Sequence, residues 1–406
     1  MAEPKIRFKG YNDEWVVSSY CEIAKSFKYG LNACAISFDG MNKYLRITDI
    51  DDETRCFIQS QLTTPGIDLS FADEYLLQDG DITFARTGAS VGKSYIYHKY
   101  DGKAYFAGFL IRMQTIDSVS PDFIFQNSLT SRFLNHIKIV SQRSGQPGIN
   151  TNELKAYELL IPDSLAEQQQ IASCFKSLDT LIQSATKKIA SLKQLKSASL
   201  ISMFPQEGEV KPRVRFKGFK EDWKNVSFID ITYRTGIKNG ENLPLESYSI
   251  SNEFGFIPQN EQFENGGTMF SADKRMYYIV SPKSFAYNPA RINVGSLGYY
   301  NGKKEVIVSS LYEVFKTNDL IEDQFLLCWF KTDIFQKMIE QYQEGGVRLY
   351  FFYDKLCKCT IKIPSLQEQR QIASFFCSLD KQISLETQRL DKFKQIKSAC
   401  LDKMFV

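Results

Sequence analysis

The chain has 406 residues, 43% of them hydrophobic, and a formal net charge of +3 with a pI near 8.2. That length allows two or three domains with their own cores, and so weak a charge excludes a globally basic surface, leaving any nucleic-acid role to local clustering. No apolar run approaches the roughly 20 residues that span a bilayer, no signal-peptide pattern follows Met1-Ala-Glu-Pro4, and nine irregularly spaced cysteines read as free thiols of a reducing cytosol.

The chain opens with Pro4-Lys-Ile-Arg-Phe-Lys-Gly-Tyr-Asn-Asp-Glu-Trp15. Strands are expected over 43–50, 81–86 and 94–97, rich in aromatic and β-branched residues between the turn signals Gln78-Asp-Gly80 and Asp101-Gly102. Between the last two lies the loop Ala85-Arg-Thr-Gly-Ala-Ser-Val-Gly-Lys-Ser94. From Ile82 to Tyr100 there is no acid, while Arg86, Lys93 and Lys99 are positive. A glycine-rich turn lets backbone amides approach phosphate, and an arginine beside it reaches a base edge with two donors. The alternative is a solvated basic hairpin. A helix is expected over 121–134, with Pro121 in its first turn. The loop Ser141-Gln-Arg-Ser-Gly-Gln-Pro-Gly-Ile-Asn150 follows, and Arg143, Gln146 and Asn150 have base-reading capacity, although ordinary turn chemistry also favours Gly, Pro and Asn. A short strand then leads to Ile161-Pro162.

The next stretch occurs twice. Leu165-Ala-Glu-Gln-Gln-Gln-Ile-Ala-Ser-Cys-Phe-Lys-Ser-Leu-Asp179 continues to Met203-Phe204, and Leu366-Gln-Glu-Gln-Arg-Gln-Ile-Ala-Ser-Phe-Phe-Cys-Ser-Leu-Asp380 continues to Met404-Phe405, matched without a gap at a constant offset of 201. Ile171, Phe175, Leu178, Ile182, Ala185, Ile189 and Leu192 have the four-three spacing of a heptad seam. Ile372, Phe376, Leu379, Ile383, Leu390 and Phe393 repeat it in phase, interrupted at Glu386. With no Gly or Pro inside, each copy reads as one helix of about 57 Å. A narrow seam cannot be buried alone, and a pseudo-twofold repeat makes the mutual pairing antiparallel. The alternative is two unrelated amphipathic helices, each packed on its own domain.

The linker Pro205-Gln-Glu-Gly-Glu-Val-Lys-Pro212 stops the first helix, and Pro212-Arg-Val-Arg-Phe-Lys-Gly-Phe-Lys-Glu-Asp-Trp223 echoes the opening segment, so the repeat covers a whole half. Strands are expected around 285–287, 298–300 and 306–308, and a helix from about 322 to 339. Tyr287-Asn-Pro-Ala-Arg-Ile-Asn-Val-Gly-Ser296 answers the first acid-free loop: it holds Asn288, Arg291 and Asn293, and from Ser281 to Lys304 no acid accompanies Lys283, Arg291, Lys303 and Lys304. Glu344-Gly-Gly-Val-Arg-Leu-Tyr-Phe-Phe-Tyr353 answers the later loop with Arg348, Tyr350 and Tyr353, then leads to Ile363-Pro364. The globular parts otherwise share little sequence, which suggests one scaffold presenting two different recognition surfaces.

Catalytic motifs fall short. The loop at Gly88 resembles a P-loop but has only three residues before Gly92-Lys93-Ser94 where the nucleotide motif has four, and a strand rather than a helix is expected after it. Asn288-Pro-Ala-Arg291 lacks the second proline and the aromatic residue of the Asn-Pro-Pro-aromatic motif of amino-methyltransferases. His98 and His136 are too isolated for a familiar metal site, and Cys357 and Cys359 read as strand residues.

The whole pattern resembles the specificity subunit of type I restriction-modification systems. The resemblance rests on Arg-Phe-Lys-Gly before Trp15 and Trp223, Tyr44-Leu-Arg-Ile-Thr-Asp49, Phe84-Ala-Arg-Thr-Gly-Ala-Ser-Val-Gly-Lys93, Gly148-Ile-Asn150, and the doubled Ile-Pro followed by Leu, Glu, Gln and Ile-Ala at 161–172 and 363–373. It implies a mixed α/β fold in which two target-recognition domains, at 1–162 and 206–364, are related by a pseudo-twofold. Two long antiparallel helices, at 163–205 and 365–406, would separate them as an intramolecular coiled coil. It further implies a non-catalytic DNA reader of an asymmetric bipartite site, located in the cytoplasm of a bacterium or archaeon. Its partners would be double-stranded DNA, two modification (methyltransferase) subunits and restriction subunits, with no membrane. S-adenosylmethionine, ATP and Mg would belong to those partners and no cofactor to this chain. Residues expected at DNA are Lys43, Arg46, Arg86, Thr87, Gly88, Lys93, Ser94, Arg143, Gln146 and Asn150 in the first half, and Asn288, Arg291, Asn293, Lys303, Arg348, Tyr350 and Tyr353 in the second. The rival readings are a stand-alone coiled-coil scaffold and a P-loop-like nucleotide-binding enzyme.

Overall fold

The structure, a computed structural model, describes residues 4–262 and 273–406. It divides into two units, one made of residues 1–188 with 387–406 and the other of residues 189–386. The boundary cuts both long helices.

In the first unit an antiparallel sheet runs in the order Ala24–Tyr29, Leu110–Thr115, Ile82–Ala85, Ser94–Ile96. Every residue of Ile82–Ala85 is buried, Thr83 included, so this strand is covered on both faces where a half-exposed strand would alternate. Lys43–Leu45 pairs in parallel with Ala104–Phe106 beside it. The second unit repeats the main sheet with Thr232–Arg234, Glu313–Thr317, Ser284–Tyr287 and Leu297–Tyr300 in the same order. Its second sheet is larger, five strands in which Ser247–Ser251 and Val306–Val308 form the parallel pair. The two scaffolds are therefore alike in their central sheet and different around it.

Four expectations are corrected. The strand expected over 43–50 stops at Leu45, because the Asp49 carboxylate accepts from the Arg46 amide at 2.9 Å and from its guanidinium at 2.9 and 2.8 Å, closing a 3-10 turn over Ile47–Asp49. The single helix expected over 121–134 is two, Pro121–Asn127 and Ser131–Val140. Thr130 breaks it: its hydroxyl donates to the Asn127 carbonyl at 2.7 Å and accepts from the Phe133 amide at 3.3 Å, ending one helix and capping the next. The second unit splits likewise into Asp323–Trp329 and Asp333–Tyr342, with Thr332 donating to the Trp329 carbonyl at 2.7 Å. Cys357 and Cys359 precede the strand Thr360–Ile363 rather than lying in it.

The long helices span Leu165–Ser202 and Leu366–Met404. Within the first unit Phe175 packs on Phe405 with ring centroids 5.8 Å apart, and Asp179 accepts from Lys397 Nζ at 2.6 Å. Numbers rise along one helix as they fall along the other, so this pairing is antiparallel. The second unit repeats it with Phe376 on Phe204 at 6.2 Å and Asp380 bonded to Lys196. Ile171, Phe175, Ala185, Ile372, Phe376 and Leu379 are buried, while Leu178, Ile182, Ile189, Leu192, Ile383, Leu390 and Phe393 are half-buried. That gradient follows from the helix starts lying against the globular cores, which hold Ile171 and Phe175 in one unit and Ile372, Phe376 and Leu379 in the other.

The letters that the two halves share have a structural task. Arg7 donates from Nε and a terminal nitrogen to both oxygens of Glu167, at 2.7 and 2.9 Å, and Arg215 does the same to Glu368 at 2.7 and 2.8 Å. Each glutamate is 1% exposed, so a charge that would be expensive to bury alone is neutralised with two-pronged geometry. The next residue acts as a neutral staple. Gln168 accepts from the Ser120 amide and donates to the Pro162 carbonyl, both at 2.8 Å; Gln369 accepts from the Glu322 amide at 2.8 Å and donates to the Pro364 carbonyl at 3.0 Å. Ile-Pro…Glu-Gln is thus the joint between globular part and long helix.

Candidate nucleic-acid interface

In the first unit the two glycine-rich loops are knitted together. Gly88 N donates to the Pro147 carbonyl at 2.9 Å and Ile149 N to the Arg86 carbonyl at 2.8 Å. Gly88 has φ +78°, and an added Cβ would lie 3.0 Å from Gln146 Nε2, so glycine permits both the turn and the approach. The Arg86 guanidinium lies over the Tyr29 ring, 4.6 Å from its centroid. Tyr29 is itself fixed, its hydroxyl accepting from Thr151 N at 3.1 Å. The Arg86 amide donates to the Phe109 carbonyl at 3.0 Å, and the Phe109 side chain is 63% exposed at this edge. Arg86, Thr87, Gly88 and Gln146 accordingly share one surface.

Other candidates of this half are spent elsewhere. Lys93 is buried and donates from Nζ to the Ile50 carbonyl at 2.9 Å and to Asp52 at 2.8 Å. Ser94 is 1% exposed and bonded to Ser128 Oγ at 2.7 Å. Neither can touch DNA, and since Ser94 begins a strand rather than a helix, the loop also lacks the phosphate cradle of a P-loop. Asn150 caps the short helix Thr151–Lys155, its side chain accepting from Asn152 N and Glu153 N at 2.9 and 3.0 Å. Arg143 pairs with Glu153 and donates to the Val140 and Gln142 carbonyls at 2.8 and 2.9 Å. Lys43 bonds Gln59 at 2.7 Å, and Arg46 is held by Asp49. Replacing Lys93 by methionine should therefore leave the salt dependence of DNA binding unchanged while lowering the thermal midpoint; a shallower slope of log affinity against log salt would return it to the phosphate contacts.

In the second unit the equivalent loops border a cleft of about 900 Å³. Four expected residues line it: Asn288, Arg291, Arg348 and Tyr350. Asn293 and Lys303 are exposed but do not line it. Tyr353 serves as a platform instead. Its ring lies 5.3 Å from the Arg234 guanidinium, its hydroxyl is 3.0 Å from Thr232 Oγ1, and burial pushes that hydroxyl's pKa up to about 12. The loops are joined as before, with Phe351 N donating to the Pro289 carbonyl at 3.0 Å. Pro289 therefore stands where Arg86 stands, and Arg291 is not the counterpart of Arg86.

The arginine that replaces it was not among the expected residues. Arg234, at the end of Thr232–Arg234, lines the cleft and is held by Glu313 Oε2 at 2.8 Å as well as by Tyr353. Burial raises the Glu313 carboxyl and Arg234 draws it back down. A signal was present: Arg234-Thr235-Gly236 repeats the tripeptide Arg86-Thr87-Gly88, but on a different strand. Phe352, also unexpected, lines the cleft stacked on Tyr350, with centroids 5.4 Å apart and planes at 4°. Each unit thus presents a guanidinium set on a tyrosine ring, a geometry suited to two-donor recognition of a base edge or phosphate.

Comparison with known proteins shows which family the two halves belong to. Residues 12–194 and 220–395 each match the type I restriction modification DNA specificity domain. A Methanocaldococcus jannaschii protein bearing the name of the type I restriction enzyme MjaX specificity subunit is 24% identical over 348 residues, covering 81% of this chain and 78% of the relative. The MjaVIII specificity subunit of the same organism is 18% identical over 351 residues, covering 81% and 79%. The crystal structure of the type I restriction-modification S subunit from M. genitalium superposes with a TM-score of 0.63 at 14% identity, over 100% of this chain and 99% of that one, which shows the fold. Two successive specificity domains, on a scaffold that is itself built twice, place this chain in the family of type I restriction-modification DNA specificity subunits.

Proposed function

We propose that each unit reads one half of an asymmetric DNA site in double-stranded DNA, residues 1–162 supplying one target-recognition domain and 206–364 the other, with the helices at 163–205 and 365–406 as spacer. The observation that carries this is the pair of arginine-on-tyrosine surfaces, Arg86 on Tyr29 and Arg234 on Tyr353, presented by one repeated sheet and bordered by unlike loops. Equal scaffolds with unequal loops suit two different half-sites. We assign Arg86 and Arg234, whose guanidinium planes are pre-set, to base edges, and the exposed Arg291 and Arg348 to phosphates. The chain would do no chemistry itself: two methyltransferase subunits would bring S-adenosylmethionine, and restriction subunits would bring ATP and Mg, in the cytoplasm of a bacterium or archaeon. A net charge of only +3 is compatible with this when the partners grip the same duplex.

Mapping methylated adenines across the genome of cells with and without this chain tests the reading. One bipartite, asymmetric motif should vanish on deletion; an unchanged map would refute it. The helices would set the unspecified gap. Adding one heptad to each, after Ala190 and after Asp391, lengthens them by about 10.5 Å, and the gap in the methylated motif should grow by about three base pairs at about 3.4 Å each.

A further inference from the structure

In the second unit the chain after the helix Asp333–Tyr342 turns back as a hairpin closed by two backbone hydrogen bonds. Glu344 N donates to the Tyr350 carbonyl at 2.9 Å and Tyr350 N to the Glu344 carbonyl at 2.8 Å. Gly345, at φ +143°, is required at the bend, since a Cβ there would lie 1.9 Å from the Arg348 carbonyl. The tip carries apolar side chains where a solvated turn would carry polar ones: Val347 is 103% exposed and Leu349 45%. Between them Arg348 has no side-chain partner among the described residues. At the foot, Phe352 is 46% exposed and lies flat on Tyr350. The corresponding loop of the first unit, Gln142-Arg-Ser-Gly-Gln-Pro-Gly148, is polar apart from its proline.

Single exposed apolar residues are ordinary. Here two flank an unpaired arginine on a braced, projecting turn, at the rim of a cleft lined by Arg234, Arg291 and Arg348. That combination fits a polyanion with an apolar interior, which describes a base-paired duplex. We propose that Val347 and Leu349 form a wedge that enters the base stack and partly opens one step of the half-site read by this unit, while Arg348 holds the neighbouring phosphate. Apolar side chains inserted between base pairs unstack and kink the duplex, and pyrimidine–purine steps yield most readily. Part of this unit's preference is then for a deformable step that it never hydrogen-bonds, whereas the polar loop of the first unit reads without insertion. The inference rests on the DNA-reading role proposed above and adds the mode of recognition.

The test uses the full chain assembled with its methyltransferase subunits and a duplex carrying the mapped motif. 2-Aminopurine is placed in turn at each adenine-compatible position except the methylated adenines, which a methyltransferase flips out of the stack whether or not a wedge enters. One step in one half-site should brighten several-fold on binding, and Val347→Ser with Leu349→Ser should return it to the level of free duplex while the other half-site is still discriminated. Val347→Met with Leu349→Met, which restores apolar bulk, should restore the signal. If no step brightens although the motif is still methylated, the wedge is overturned and the DNA-reading role stands. If the serine variant instead loses methyltransferase subunits with its base stacking unchanged, the tip contacts protein and the wedge is equally overturned. If no motif can be mapped at all, the DNA-reading role falls and takes the wedge with it.

Discussion

Replacing Arg7 by alanine is expected to lower the stability of the first unit by about 3 kcal/mol, the lower end of the range for removing one partner of a buried ion pair. The lower end applies because Glu167 is 1% exposed but the arginine side chain retains 16%. The substitution strands a carboxylate beneath the start of the long helix, with no second cation bonded to it among the described residues in place of the guanidinium. Replacing both partners, Arg7→Met with Glu167→Met, should cost much less, since no charge is then left buried. Urea unfolding followed by tryptophan fluorescence measures both variants. With two units the curve need not be two-state, and only the transition of the first unit should move. A shift equivalent to less than about 1 kcal/mol for Arg7→Ala would mean that the pair behaves as a surface salt bridge.

Changing Arg86 to lysine should reduce discrimination in one half-site only, by about 1 to 3 kcal/mol per base contacted. Arg234→Lys should do the same in the other half. Lysine keeps the charge but loses the planar fork that lies on Tyr29 or is held between Glu313 and Tyr353, so the salt dependence should scarcely change. Because the two guanidiniums would serve separate half-sites, their effects should add. Binding measured against all single-base variants of the motif checks this. A uniform loss across every variant would assign these arginines to the backbone instead.

The repeat, its phase and the antiparallel pairing were legible from the sequence because each rests on periodicity. Ile171, Phe175 and their equivalents have only one face to offer, and a matched copy exists to receive it. What the sequence hid was where polar side chains spend their hydrogen bonds. Lys93 looks free in an acid-free stretch, yet Asp52, 41 positions earlier, comes to it in space. Asn150 and Arg143 have the donors and acceptors of base readers, but the short helix Thr151–Lys155 uses both. Arg234 was hidden because aligning the loops on their Val-Gly pair matches Arg291 to Arg86, whereas the guanidinium set on a tyrosine lies on Thr232–Arg234, at the edge of the sheet and two strands away from Ser284–Tyr287. Tertiary placement, rather than residue type, separates a reader from a cap.

The seating of Phe405 bears on how the molecule is made. Its ring lies against Phe123 and Phe175, 5.0 and 5.8 Å away, inside the core of the first unit, and Ile6 N donates to the Lys403 carbonyl at 3.0 Å. Residues 387–406 leave the ribosome after every residue of 189–386, which form the other unit without interruption. Domains commonly fold in the order of synthesis, but here the part translated earliest must wait with an open core while the later part closes. Holding factors that shield apolar surface during translation should therefore engage residues 1–188 for longer than residues 189–386.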